Sequence, residues 1–580
     1  MCTLVATLNE NSQVILQNMA ETTRHRGPDT FEVQSDSTGG VAAARLSVFG
    51  DSSASMIFKD NVTGRTVLLN GEIYNYSELW SQLGKFNRRP QTTLESELIA
   101  VLYDVFGLDF ASQLKGMFAV AIVDNDRLIL ARDRFGIKPL YYTQKGKKTL
   151  VCSEIKGILQ HPEIKPELNN RALEETKVFG YITTANITFF KSIYQVNPGT
   201  VMVIDSTGVT RSKSFGGFPK ARYNGQKPLC DAGDLVRETR IRLINAVDRM
   251  FKHGDMTKGI YLSGGLDSST IAMIATKILG YEVPTFTLAD NPDAVDFSMA
   301  RKVADALGTD HHEYIINEED YWRALPDYVA HYESLMAGGV FDVQGGVAFH
   351  LLSQKVSGNV RVAFSGEGAD ELFGGYYWIY THPLGFSDRI RNNFVGLENN
   401  EELKVLVGTL FPEPEDEKEY RRNLFDFLLQ GGLSNYHLQS VDRSAGAFGF
   451  EIRPVYLEDD LAQWAMELPI DYKVPDKYAT KLILREVFRD EFEQMGLSCV
   501  LERKKVGMPA AIGMLDPVIR QKVQEAVGDN ELARHPLGSI LGSKLNLLLY
   551  DLFEHVFFKG WNHNDTLPPK DSLLRRVWPE

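Results

Sequence analysis

Apolar and polar positions follow two different rhythms along this chain. In residues 1–210, short apolar runs such as RTVLLNG, MFAVAIVD, RLILARD and KTLVCSE alternate with Gly, Asp and Asn turn signals, which predicts an antiparallel β sandwich. A few helices accompany it, for example over TLESELIAVLYDVFG, where apolar residues recur at helical spacing. Between 211 and 232 both rhythms stop in SKSFGGFPKARYNGQKPL, rich in Gly, Pro and Lys, and a linker is expected there. Beyond it GDLVRETRIRLINAVDRMF has a helical period, GIYLSGG reads as a strand and SSTIAMIATKIL as a helix. The alternation continues through EVPTFTLA, SMARKVADALG and NVRVAFSGEG, so residues 233–580 are expected to form an α/β domain around a doubly wound parallel sheet, ending in a mostly helical region. The acidic stretch VGLENNEELKVLVGTLFPEPEDEKEYRR reads as a solvated helical excursion or loop. The expected fold class is α+β followed by α/β.

Composition acts mainly by exclusion. A length of 580 residues is too great for one core and agrees with two domains. The net charge of -14, with no dense basic block, argues against a nucleic-acid partner. No apolar run reaches the ~18–20 residues of a membrane span, and MCTLVATLNENSQ lacks the basic region and apolar core of a signal peptide. A cytoplasmic protein acting on small molecules is expected. Cys2, Cys152, Cys230 and Cys499 show no C-x-x-C spacing, so they indicate neither a disulfide framework nor a zinc site.

Two stretches carry chemistry. In IYLSGGLDSS an apolar strand runs through Leu262 into Ser263, Gly264 and Gly265, whose backbone can approach an anion closely, while Ser268 and Ser269 add hydroxyls at a helix start. No Walker pattern is present, and Asp267 inside an anion cradle makes sense when it holds a cation such as Mg²⁺. In VAFSGEGADELFGGYY a second strand ends in Ser365 and Gly366, and Glu367, Asp370 and Glu371 follow within a Gly-rich turn, a crowding suited to a metal, an ammonium group or proton transfer. Both loops follow strands of the expected parallel sheet, so one nucleotide can bind between them.

Together SGGLDSS and SGEGADELFGGY resemble the ATP-pyrophosphatase domain of asparagine synthetases, in which ATP adenylylates a carboxylate and ammonia displaces AMP; ALGTDHHE, VDRSAGAFGFEIRPVYLEDD and ERKKVGMP resemble the same family in the same order. The resemblance implies ATP held by Leu262, Ser263, Gly264, Gly265, Asp267, Ser268, Ser269, Ser365 and Gly366, with Mg²⁺ on Asp267 and Asp370. It implies Glu367 as base or orienting acid at the amide-forming step, and Lys481 and Lys505 as the cations that neutralise pyrophosphate and developing charge. In the first half, HRGPD, RLSV, NGEIYNY, GMFAVAIVD and ARDRFGIKPLYY resemble class II glutamine amidotransferases, with an Ntn-hydrolase-like fold. That likeness implies Cys2 as nucleophile after loss of Met1, its own α-amine relaying the proton. It further implies an oxyanion hole from Asn70 and Gly71, and glutamine held by Arg45, Asn70, Glu72 and Glu95. The family expectation is a glutamine-hydrolysing, ATP-dependent ligase with ATP and Mg²⁺, aspartate as default acceptor, no nucleic-acid or membrane partner, and frequent homodimers.

The sequence departs from the family pattern at several places. TTLESEL puts Glu95 where Asp is usual, one methylene longer, which displaces the carboxylate by more than ~1 Å. In VFDVQGGVAFHLLSQK, Gly345 and Gly346 stand where side chains frame the acceptor and His350 stands for a tyrosine, which leaves open drift in a helix start or a different carboxylate acceptor. Lys258 and Met508 replace an apolar residue and a Phe.

Overall fold

The computed structural model describes residues 1–50, 55–216, 232–335, 343–376, 388, 390–397, 399–410, 417–474, 480–504, 507–565 and 567–578. The first part contains β1 (Cys2–Leu8), β2 (Thr30–Ser35), β3 (Gly39–Arg45), β4 (Phe58–Lys59), β5 (Thr66–Ile73), β6 (Gly116–Asp124), β7 (Arg127–Arg132), β8 (Tyr141–Lys145), β9 (Lys148–Cys152), β10 (Tyr194–Gln195), β11 (Thr200–Asp205) and β12 (Thr210–Ser214). They form two six-stranded sheets, ordered β10-β8-β9-β1-β3-β2 and β12-β11-β7-β6-β5-β4, in which every pair is antiparallel.

The sandwich has helices on both outer faces, which explains a feature of its sequence. Cys2, Leu4, Ala6 and Leu8 point into the core between the sheets with Leu68, Ala119 and Leu130. Val5 points the other way, onto Leu16 and Met19 of the helix Gln13–Glu21. On the far sheet Val67 and Val120 pack against Leu98 and Leu102 of the helix Glu95–Phe106. Strands covered on both faces read as near-continuous apolar runs rather than as alternation, and all seven residues of β1 are buried. Fully burying one such aliphatic side chain contributes about 1.5–3 kcal/mol, so a polar change in β1 is felt on either face.

β12 occupies the first residues of the stretch expected to be a linker, because Thr210–Ser214 pairs with β11. Residues 217–231 of that stretch, including Cys230, lie outside the described residues. The chain resumes in the helix Ala232–Lys252 and builds a five-stranded sheet from β13 (Lys258–Tyr261), β14 (Thr285–Ala289), β15 (His311–Ile315), β16 (Val362–Ser365) and β17 (Glu451–Pro454). Its order is β15-β14-β13-β16-β17 and every pair is parallel. Strand order reverses between β13 and β16, and a crevice opens beyond the carboxyl ends of strands at such a point. The two loops singled out above leave β13 and β16, so topology alone brings them together. In the acidic excursion, the helix Glu401–Leu410 is largely exposed, as its composition suggests. Among the described residues, no helix is long and apolar enough to cross a membrane.

Buried charges join the two halves. Arg26 donates to Glu154 at 2.8 Å and to Asp442 at 2.8 Å, Arg443 reaches Glu154 at 3.0 Å and Glu333 at 2.9 Å, and Lys138 pairs with Glu451 at 3.0 Å. Ion pairs this deeply buried are costly to break singly, since a lone charge then remains in a dry seam.

Candidate functional site

The first site lies at the start of β1. The antiparallel register sets Cys2 opposite Arg45. A cavity of about 50 Å³ is lined by Cys2, Arg45, Gly71, Glu72 and Glu95 together with Phe49 and Thr93. Asn70 is fully buried; its Oδ1 accepts from the Cys2 backbone N–H at 2.9 Å, and its Nδ2 has no hydrogen-bond partner. Gly71 has φ of 143° and a Cβ there would lie 1.9 Å from the Met117 carbonyl oxygen, so only glycine lets the strand carry its backbone past the cavity. From the HRGPD segment, Arg26 Nε donates to the Cys2 carbonyl at 3.2 Å, and Asp29 accepts from Ser47 N–H at 2.8 Å. Burial pushes the Cys2 thiol above its ordinary pKa, against the opposing pull of the N-terminal amine, the Leu46 backbone and Arg45. With Met1 in place, the terminal ammonium sits 3.2 Å from Glu451 in the seam, and the nitrogen of Cys2 is an amide.

Glu95 occupies this cavity in an unforeseen company. Its Oε1 accepts from Ile73 N–H at 2.7 Å, and His253, just past the end of the helix Ala232–Lys252, approaches it at 3.4 Å and Glu72 at 2.7 Å. Phe49 stacks on the imidazole at 4.7 Å, and Arg453 reaches Glu72 at 3.5 Å. Burial opposes protonation of His253, but Glu72 and Glu95 outweigh it and raise its pKa to about 9. Burial and the Glu72 charge raise Glu95. The ring is therefore cationic at neutral pH and lies against two carboxyl groups. No local motif announces His253, because its meaning comes from a contact between the two halves.

The second site is the crevice at the strand-order reversal, a cavity of about 210 Å³. Its walls include Leu262, Ser263, Asp267 and Ser268 from the first loop and Ser365, Gly366, Glu367 and Asp370 from the second. Gly264 has φ of 66° and a Cβ would lie 2.4 Å from Met299, so this glycine packs the loop on its neighbour helix. Ser268 Oγ accepts from Ser263 N–H at 3.2 Å, Ser263 Oγ accepts from Gly265 N–H at 3.3 Å, and the helix Leu266–Met273 begins without a side-chain cap. Ser269, by contrast, is fully buried behind the loop, away from the cavity wall.

Lys481 lies between the two acids expected to share a cation. Its ammonium donates to both carboxylate oxygens of Asp267 at 2.6 Å and pairs with Asp370 Oδ1 at 2.5 Å. Two buried carboxylates thus converge on one cationic point, a donor set of hard oxygens that fits Mg²⁺. A side recess adjoining Ser263 and Gly265 is lined by Thr480, Lys481, Arg485, Arg503 and Lys504, with Asp267 paired to Lys481 and Asp296 paired to Arg503. Lys505 lies outside the described residues.

Tyr376 and His437 also line the cavity, and the Tyr376 hydroxyl donates to Glu371 at 2.5 Å and lies 3.1 Å from His437 Nε2. Burial, then Asp370 beside it, pushes Glu371 up to about 8. The acid run in the sequence contained Glu371, but its tyrosine and histidine partners became apparent only in three dimensions. Gly345 and Gly346 do line the cavity, yet a Cβ on Gly346 would lie 2.1 Å from the Tyr328 hydroxyl and one on Gly345 3.0 Å from Pro509. The space their side chains vacate is taken by protein. His350 turns away to Asp327, 2.7 Å distant. Met508 is on the cavity wall, and Lys258 begins β13 with its ammonium on the Gly254 carbonyl at 2.5 Å.

Comparison with known proteins agrees with this two-site arrangement. Residues 238–539 match the asparagine synthase family model and residues 1–215 the glutamine amidotransferase domain model. Asparagine synthetase (glutamine-hydrolyzing) 1 of Bacillus subtilis is 31% identical over 395 residues, which is 66% of this chain and 60% of that protein. Asparagine synthetase (glutamine-hydrolyzing) 3 of the same organism is 26% identical over 559 residues, 88% of this chain and 87% of that protein. The Gallus gallus asparagine synthetase (glutamine-hydrolyzing) is 29% identical over 497 residues, 80% of this chain and 76% of that protein. The chain belongs to the asparagine synthase family, with a glutamine amidotransferase domain preceding the synthase domain.

Proposed function

We propose that the chain is a glutamine-hydrolysing carbon–nitrogen ligase: Cys2 releases ammonia from glutamine, and the crevice joins it to a carboxylate activated by ATP, with aspartate as the acceptor. Supporting this above all is the pairing of a buried cysteine at a strand start, beside an orphaned amide donor, with a nucleotide-type crevice in the same chain. Loss of Met1 turns the Cys2 nitrogen into a free amine. Because burial disfavours the thiolate, the thiol needs that amine as a base to attack the glutamine amide. The unpaired Asn70 Nδ2 then donates to the oxyanion, together with the Gly71 backbone. Arg45 holds the glutamine carboxylate, and the carboxyl groups of Glu72 and Glu95 face its α-ammonium.

In the crevice, Ser263, Gly265 and Ser268 hold the nucleotide phosphates, and Asp267 and Asp370 hold Mg²⁺, which neutralises charge on the phosphates when bound. Lys481, with Arg485 and Arg503 beside it, stabilises departing pyrophosphate. Glu367 takes the proton from ammonia as the amide forms. Cys2→Ala tests the division of labour: glutamine-driven amide formation should vanish while ammonia-driven formation persists, and equal survival of both overturns the assignment of Cys2.

A second acceptor is favoured by one observation. Besides the two loops the cavity is walled by Phe349, Leu352, Tyr436, Val441 and Met508, an apolar surface that suits a nucleotide base and offers contacts to an acid bulkier than aspartate. Pyrophosphate release measured across a panel of carboxylates decides: strong turnover with aspartate supports the first reading, and turnover only with bulkier acids the second.

A further inference from the structure

Away from both sites, a cluster of imidazoles converges on one carboxylate. Asp327 and His331 stand one turn apart on the helix Glu318–Tyr332, and His563 comes from the segment after the helix Lys544–Phe557. Asp327 Oδ1 lies 3.4 Å from His331 Nε2 and 3.4 Å from His563 Nε2, and the three ligand atoms are within 4.8 Å of one another. We infer that Asp327, His331 and His563 form a site for a divalent transition metal of the zinc type, unrelated to the Mg²⁺-type pair Asp267 and Asp370.

The two separations from Asp327 Oδ1 match those expected around a metal. Zinc bonds of about 2.0–2.1 Å in a tetrahedron set neighbouring ligand atoms about 3.3–3.4 Å apart. The shortest contact to Asp327 comes from outside the trio: His350 Nε2, 2.7 Å from Oδ2. That contact orients the carboxylate and leaves Oδ1 facing the two remaining rings, the supporting role that a second histidine or carboxylate plays around metal ligands. Two nitrogens and one oxygen suit zinc better than magnesium, which prefers an all-oxygen octahedron.

The other ring nitrogen of His331 is engaged as well. Lys156 Nζ lies 2.8 Å from His331 Nδ1 and 3.0 Å from Glu154. For Nε2 to hold a metal the ring proton would have to sit on Nδ1, which would end the Lys156 contact there and leave Glu154, at 3.0 Å, as the partner of the lysine. Asp327 is 29% and His563 19% exposed in its side chain, which gives an ion a way in and a fourth position for water. Bound there, the metal staples the C-terminal segment to a helix that also lies against the seam, where the His25 ring meets His331 at 4.4 Å.

The test uses the full-length protein, stripped with a chelator and titrated with Zn²⁺ by calorimetry and with Co²⁺ by visible absorption. The expected result is one Zn²⁺ per chain, a tetrahedral Co²⁺ spectrum, and a thermal midpoint that rises with Zn²⁺. His563→Ala and Asp327→Asn should each weaken binding by at least about tenfold and abolish the thermal shift, whereas His312→Ala, at an exposed histidine, should leave both intact. If Asp327→Asn fails to fold, His563→Ala decides alone. No stoichiometric Zn²⁺ in the parent protein, or undiminished binding in His563→Ala, overturns the assignment.

Discussion

Single atoms carry the sharpest expectations at the glutamine site. Asn70 is fully buried with one amide face on the Cys2 N–H and the other unpaired, an arrangement that costs stability unless a ligand uses it. Asn70→Ala should therefore lower the glutamine-driven kcat by about 10²–10³-fold, the usual loss for one oxyanion donor, with ammonia-driven synthesis unchanged; steady-state rates with each nitrogen source check this. Gly346 makes the opposite point. The sequence marks Gly345 and Gly346 as a change in the acceptor wall, but a residue type does not reveal which neighbour fills the missing volume. The fully packed Tyr328 hydroxyl does so at Gly346. Gly346→Ala should cost about 1–3 kcal/mol in chemical denaturation, as overpacking does, while the ranking of acceptors by pyrophosphate release stays the same.

At the scale of elements, much was legible because strands and loops announce themselves locally. The runs around β5, β6, β7 and β9, the parallel alternation from β13 to β16, and both Gly-rich loops all follow from short-range pattern. The end of the helix Ala232–Lys252 does not, since His253 acquires its role only where that helix meets Glu72 and Glu95 of the other half. Its folded pKa of about 9 stands above the ordinary 6.5, so the native protein holds a proton that the unfolded chain releases between those values. The sign follows: the stabilisation is complete below pH 6.5, declines as pH rises, and is gone above about 9. Its upper size is about 3 kcal/mol. Urea denaturation from pH 6 to 10 should show the gap between the parent protein and His253→Gln closing across that window. The KM for glutamine should rise over the same range, as the imidazolium that orders the two carboxylates is lost; a purely structural histidine leaves KM flat.

Over the whole molecule, the two halves meet through charges whose partners are hundreds of residues apart, which is why sequence pattern located two catalytic units but not their coupling. Arg453 on β17 is the central example. It is fully buried, donates to the carbonyls of Met250 at 2.8 Å and His253 at 2.7 Å, and pairs with Glu451 at 3.0 Å and Glu72 at 3.5 Å. The strand that bears it adjoins β16, whose loop carries Glu367 and Asp370. One side chain thus links the parallel sheet beside the crevice to Glu72 on the wall of the Cys2 cavity. Arg453→Met keeps much of the volume but leaves Glu72 with His253 as its remaining cation and removes one of the charges that face Glu451. Breaking a buried ion pair from one side costs about 3–5 kcal/mol, and Lys138, 3.0 Å from Glu451, limits that loss on the second carboxylate. The expected outcome is a lower thermal midpoint together with a KM for glutamine that rises well beyond any change in the KM for ATP, measured with ammonia as nitrogen source. Equal changes in both constants would mean that Arg453 serves only the stability of the seam.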